Sequence, residues 1–289
     1  MRIPESELII NADNSAFHIH IRPENLADNV ILVGDPGRVA QFRRHFSSIS
    51  DEGASREFAH ITGISHGAPL TVLSTGIGTD NIDIVMTELD ALANIDFSTR
   101  ELKPHHKSLN ILRVGTCGAI QPEIPLGGFI FSHISIGCDG LLNWYSDRDS
   151  ISLLDFEEAF KKHVHWNSRL PDPYFVRSGA EMISRFEDVT FKGMTVSASG
   201  FYGPQGRVVR QGLAMPSMLE DFETFEFGGY KITNFEMESS ALAGMSAKLG
   251  HNAGTVCCAI AHRYHKAANT DYKSKVGELI DLSVERLAA

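Results

Sequence analysis

The sequence predicts a single α/β domain built around a largely parallel or mixed central sheet. Three observations carry this. Six short apolar runs rich in β-branched residues lack polar alternation, the pattern of strands buried on both faces. Helix-like stretches lie between them, and strands alternating with helices mark a layered α/β architecture. No repeat, low-complexity tract or linker interrupts the 289 residues, so 1–289 reads as one domain.

In chain order, VILVG (30–34) is the first strand and LTVLSTG (70–76) the next, each closed by a glycine. DNIDIVMTELDALAN (80–94) is helix-like, and STRELKPHHKSLN (98–110) reads as a surface excursion. ILRVGTCG (111–118) and FIFSHISIG (129–137) are strands. A helix is expected over 152–163, with a second surface excursion around 164–177. MTVSAS (194–199) and GTVCCAIA (254–261) complete the strands, with helices over 238–249 (ESSALAGMSAKL) and 271–287.

Composition narrows the function. With 43% hydrophobic residues and a mean hydropathy of −0.09, the chain can bury a sizeable core. A net charge of −10, a pI of about 5.7 and no long basic run exclude duplex nucleic acid as an expected partner. A few converging arginines can still hold a small anion. The start, MRIPESELIINADNSAF, lacks the charged-then-apolar secretory pattern, and no apolar run approaches bilayer-spanning length. Cys117, Cys138, Cys257 and Cys258 form no CxxC spacing. A cytoplasmic protein with reduced thiols and no membrane partner is expected.

Four stretches offer chemistry. GDPGR (34–38) follows the first strand, where turn amides can cradle an anion and Arg38 can reach back with forked donors. A surface junction with an exposed arginine is the plainer alternative. Arg113 lies inside an apolar strand, where a charge is costly unless paired or at work. It either serves an oxyanion site, helped by Gly115, Thr116 and Gly118, or pairs with a core carboxylate. NFEMESSAL (234–242) puts Glu236 and Glu238 just before a helix, placed to accept hydrogen bonds from sugar hydroxyls or to cap that helix. Two glutamates also equip a glycosidase, but their separation decides that chemistry. In FYGPQGR (201–207), Gln205 both donates and accepts while Arg207 donates only. If the chain is extended there, the two side chains leave on one side, ready to read a flat polar ligand.

Other motifs are weak. GIGTDN (76–81) lacks the last glycine of a dinucleotide fingerprint, and there is no GxSxG elbow. His105 with His106, and His163 with His165, do not fall at zinc-site spacings with further ligands, so no metal is expected.

GDPGR, SREF (55–58), STGIG (74–78), RVGTCGAIQ (113–121), FYGPQGR and NFEMES occur together and in order. In this the chain resembles the uridine phosphorylases of nucleoside phosphorylase family I, from about FHIHIRPENL to the C-terminal helix. The resemblance implies a three-layer α/β/α fold, with extra residues near 98–110 and 150–177. It implies reversible phosphorolysis of uridine to uracil and ribose 1-phosphate, in pyrimidine salvage. No cofactor is implied, because inorganic phosphate is a co-substrate.

Carried over residue by residue, the resemblance gives phosphate to Gly34, Arg38, Arg113 and Thr116, with Arg56 of SREF joining from a neighbouring subunit. Ribose goes to Glu236, Met237 and Glu238, with His18 reaching the 5′-hydroxyl, again across the interface. Uracil goes to Gly118, Phe201, Gln205 and Arg207. Arg113, Thr116, Arg207 and Glu238 would carry the chemistry, in a homo-oligomer built from dimers with shared sites. Some relatives have Thr where Cys117 stands. Purine-cleaving relatives carry an Asp after the last core strand, whereas AIAHRYH (259–265) has no acid there. Two rivals remain: a nucleosidase of the same fold, using water, and a non-catalytic nucleoside-binding protein.

Overall fold

The structure, a computed structural model, describes residues 2–269 and 271–288. Among these, all six predicted runs are strands of one 12-stranded mixed sheet. The strand Asn110–Ala119 is its axis, parallel to Asn29–Val33 on one side and to Asn252–His262 on the other. Outward from Asn29–Val33 lie Ala68–Ser74 and then the antiparallel hairpin of Phe58–Ser65 with Phe46–Ser55. In the other direction follow Phe129–Gly137, Phe191–Ser197 and Tyr230–Glu236.

That last strand turns back onto the axis. Asn234 pairs with Ala119 and Phe235 with Gly118, antiparallel, so this end of the sheet closes into a small barrel while the other end stays open. The closure brings the NFEMES segment beside RVGTCG, though more than a hundred residues separate them in sequence.

Both faces of the open part are buried, as the missing polar alternation requires. Val30 and Leu32 pack with the helices Thr79–Asn94 and Ser239–Leu249. Ile31 and Val33 face the opposite core, with Ala180–Phe186 and Lys273–Ala288. The result is three layers, α/β/α, in one domain. The helix Thr79–Asn94 forms because Ile82, Val85, Met86, Leu89, Leu92 and Ala93 recur at helical spacing and share one buried face. It opens after Gly76 and Gly78, whose φ of 72° and 101° lie in the region that glycine tolerates best.

One expectation needs correction. Residues 150–177 are not a surface excursion throughout. Phe156 and Phe160 of the helix Leu154–His163 are buried against Phe175, Phe222 and Phe225. Tyr174–Arg177 is a strand on the edge of Phe129–Gly137, and Tyr174 is fully buried. The polar character of residues 164–173 hid a strand that follows at once. The stretch after Phe97 is indeed largely exposed, up to the buried Leu109. Phe160→Ala should therefore cost about 3–5 kcal/mol, the usual cost of truncating a buried aromatic ring. Urea unfolding measures it, and a loss below about 1 kcal/mol would mean that this segment packs loosely.

Candidate active site

A cavity of about 510 Å³ opens where the strands Asn29–Val33, Ala68–Ser74 and Tyr230–Glu236 end. This is the crevice at the carboxyl ends of strands where α/β sheets bind ligands, and its size suits a small molecule. Gly34, Arg38, Arg113, Thr116, Gly118, Phe201, Gln205, Arg207, Glu236, Met237 and Glu238 all line it. Residues from four separate motifs thus meet in one place.

At one end the GDPGR turn leads into the short helix Pro36–Val39. Asp35 caps it, accepting from the Gly37 N–H at 2.8 Å, and Arg38 donates to the Val114 carbonyl at 3.4 Å. Burial pushes the Arg38 pKa down, and the nearby Arg113 charge pushes it further. Two guanidiniums held close enough to disfavour each other are what an anion would relieve. Gly115 makes room for this: a Cβ there would lie 2.4 Å from Arg113 Nη1.

Arg113 also settles its own alternative, because it does pair with core carboxylates. Nη2 donates to Glu238 Oε2, and Nη1 lies 3.2 Å from Glu236 Oε2. Burial works against the Arg113 charge, yet Glu238 and Glu236 outweigh it and hold the pKa above the ordinary arginine value. Its buried Nε–H finds no acceptor among the described residues. Pairing with carboxylates and facing the cavity are not exclusive, since the guanidinium has five donors.

The two glutamates differ. Glu236 Oε2 accepts the backbone N–H groups of Glu238 and Ser239, at 2.8 and 2.9 Å, at the mouth of the helix Ser239–Leu249. Its Oε1 accepts from the hydroxyls of Ser197 and Ser239. With Arg113 added, the Glu236 carboxylate is engaged on both oxygens, and it holds the first N–H groups of that helix while lining the cavity. Among the described residues Glu238 accepts from Arg113 and, at 2.7 Å, from the Gly78 N–H. Burial raises the Glu238 pKa, Arg113 opposes this, and the neighbouring Glu236 charge raises it again. Glu238 therefore keeps lone pairs for a ligand in the cavity.

At the other end the backbone is not extended, so simple alternation does not set the two side chains. Gly203–Gln205 is a 3-10 turn, and Gly206 takes a φ of 71°. Gln205 and Arg207 still meet, because Arg207 Nη1 donates to Gln205 Oε1 at 2.7 Å. The guanidinium also stacks on the Phe201 ring, 3.8 Å from its centroid. The turn thus presents a buried amide braced by a half-buried, stacked arginine.

Sequence reasoning missed Arg263. Burial and the nearby Arg263 charge together push the Arg207 pKa down to about 10. Arg263 also packs its Cδ about 3.4 Å from where a Gly118 side chain would begin. The signal in the sequence was an arginine just beyond the strand Asn252–His262, adjoining the site strand.

Arg56 and His18 do not line the cavity of their own chain. Arg56 is exposed at the tip of a hairpin with a φ of 55°, a strained conformation for arginine. His18 has its Nδ1 held by Glu88 at 2.6 Å, and its ring lies 6.4 Å from that of Phe58, two residues after Arg56. His18 thus lies near the base of the hairpin turn that carries Arg56.

Elsewhere, atoms of Asp90, His106 and His251 come within 4.8 Å of one another. His251 Nδ1 accepts the Leu109 N–H at 3.2 Å, which leaves the proton on Nε2, 3.2 Å from Asp90. Among the described residues that Nε2 makes no hydrogen bond of good geometry. No helix among the described residues is long and apolar enough to cross a membrane.

Comparison with known proteins agrees with the geometry. Residues 28–289 match the model of the Phosphorylase superfamily. A uridine phosphorylase of Thermococcus kodakarensis is 28% identical, covering 86% of this chain and 77% of that protein. One from Haemophilus influenzae is 26% identical, covering 96% and 98%. The crystal structure of a Trypanosoma brucei nucleoside phosphorylase, described as showing uridine phosphorylase activity, superposes with a TM-score of 0.85 at 28% identity, covering 97% and 98%.

Proposed function

We propose that this chain, which belongs to the phosphorylase superfamily, catalyses the reversible phosphorolysis of uridine to uracil and ribose 1-phosphate, as a pentosyltransferase. One observation carries the reading: a single cavity is lined by the Arg38–Arg113 pair, by Glu238 and by the Gln205–Arg207 pair. An anion, a sugar and a flat polar base each find a matching wall. A nucleosidase would need no second guanidinium beside Arg113, and a binding protein would need neither.

In this reading phosphate rests on Arg38, Arg113, Thr116 and the Gly34 turn. Met237 and Glu238 hold the ribose hydroxyls, with Glu236 fixing them from behind. Uracil lies against Gln205 and Arg207, near Phe201 and Gly118. A phosphate oxygen attacks C1′ as the C1′–N1 bond breaks, through an oxocarbenium-like sugar. The bonding electrons leave with uracil, whose ring oxygens gather the charge beside Arg207, and the base then takes a proton from solvent. Donors already aimed at developing charge are worth a few kcal/mol each, and holding phosphate beside C1′ supplies much of the rest. Phosphate is a co-substrate, and nothing in this scheme requires a cofactor or metal. The rejection of purines rests on Gln205 and Arg207 and on AIAHRYH, which has no acid to protonate a purine.

The direct test follows uracil release from uridine with and without phosphate. Release only with phosphate is expected. Equal release in phosphate-free buffer would make the protein a hydrolase, and no release from any pyrimidine nucleoside would favour a binding protein.

Arg56 and His18 complete the site from a second copy, so the working unit is a dimer or an assembly of dimers, in the cytoplasm. Arg56→Ala and Arg207→Ala subunits, each severely impaired alone, should regain activity when mixed, because one mixed interface unites an intact cavity with an intact Arg56. Proven subunit exchange with no recovery would place Arg56 in its own chain's chemistry.

A further inference from the structure

A buried hydrogen-bond chain runs from the Phe129–Gly137 edge of the barrel to the cavity, and the reaction scheme above does not use its far end. Asp139 follows the strand Phe129–Gly137 and is largely buried; it accepts from Tyr174 Oη at 2.8 and 3.0 Å and from Ser240 Oγ at 2.8 Å. The Leu141 N–H donates to it at 2.7 Å. Ser240 in turn donates its backbone N–H to Ser197 Oγ at 2.9 Å, and Ser197 donates to Glu236. Glu236 grips the Glu238 N–H and Arg113. Tyr174, Ser197, Ser239 and Ser240 are all buried while Asp139 is partly exposed, so the bonds around Ser197 are shielded from water and those to Asp139 only in part.

A buried carboxylate is costly, and burial raises the Asp139 pKa even though Leu141, Tyr174 and Ser240 all donate to it. Capping the helix Ser239–Leu249 does not require it, since Glu236 already satisfies the first N–H groups. What Asp139 adds is a second anchor on the first turn of that helix, one residue after Ser239 and two after Glu238. Tyr174, at the end of the 150–177 segment, braces that anchor from the barrel edge.

We propose that Asp139 and Tyr174 are positioning residues that set the register of Glu238 against the ribose hydroxyls, through Ser240, Ser197 and Glu236. The proposal rests on the reading of the cavity as a uridine phosphorylase site. It makes the barrel edge part of sugar recognition.

The readout is the ratio of kcat/KM for uridine to that for 2′-deoxyuridine, both with saturating phosphate. The amount of active protein cancels from this ratio, so a mere loss of folded enzyme leaves it unchanged. Asp139→Asn, and more mildly Tyr174→Phe, should lower the ratio, by about 10-fold for the loss of one well-placed hydrogen bond to a charged group. In a Glu238→Gln background the same substitutions should change the ratio less than twofold, because residues acting through one partner are not additive. Wild-type enzyme that fails to cleave uridine would refute the assigned activity itself. Active wild type with an unchanged ratio in folded Asp139→Asn or Tyr174→Phe would overturn the positioning role. Effects that persist in full beside Glu238→Gln would overturn it too. If neither variant folds, the chain is a folding element and the proposal fails.

Discussion

Arg207→Ala should lower kcat for uridine by about 10²–10³-fold, the usual cost of removing one donor aimed at developing charge. The reason is timing. Uracil is neutral when bound and gathers negative charge only as the C1′–N1 bond stretches, so the Arg207 interaction strengthens in the transition state. Both kcat and kcat/KM should fall together. Gln205 behaves differently, because an amide gains little as charge develops. Truncating it should mainly raise KM and relax the choice of base, although it also removes the acceptor that braces Arg207 at 2.7 Å. Adenosine cannot satisfy the same order of donors and acceptors, and such mismatches cost up to roughly 10⁴-fold. Near-wild-type kcat/KM for uridine in both folded variants would remove the 201–207 turn from the active site.

The second large effect belongs to Arg113. Arg113→Ala should abolish turnover and destabilise the fold by about 3–5 kcal/mol, because it strands two buried carboxylates. The sign of its pH dependence follows from Glu238. Burial already raises that pKa, and losing the guanidinium raises it further. A carboxyl whose folded pKa is raised costs nothing below its unfolded pKa, and its cost grows as pH climbs to the folded value. The stability gap between wild type and Arg113→Ala should therefore narrow from pH 8 towards pH 4. Adding Glu238→Gln should recover part of the stability and none of the activity. A gap that widens on acidification would mean that the Arg113 pairs do not dominate this part of the core.

Much of this was legible in the sequence, for identifiable reasons. Buried strands must be apolar on both faces, so the runs at 30–34, 111–118 and 129–137 announced themselves. A lone arginine in such a run has few uses, and Arg113 stood out accordingly. The hairpin of Phe46–Ser55 and Phe58–Ser65 was invisible because its outer strand, FSSISDEGAS, is polar and largely exposed. Its pairing comes from the sheet edge and not from local pattern. Tyr174–Arg177 was hidden by the polar residues before it, and its burial depends on aromatic partners as distant as Phe225. That Gln205 and Arg207 share one side was legible on the condition of an extended chain, whereas a glycine turn and a cation–π stack bring them together. Both roles of the Glu236 and Glu238 pair were legible, but not which residue takes which. Adjacent identical side chains separate only when the fold shows which one receives the helix amides.

The fate of the ribose separates phosphorolysis from hydrolysis. Phosphorus NMR of a reaction containing uridine and inorganic phosphate measures it directly, alongside the absorbance change for uracil. One ribose 1-phosphate should form for each uracil released, with an equal loss of phosphate. Uracil accompanied by free ribose, with the phosphate signal unchanged, would make the protein a hydrolase and overturn phosphorolysis.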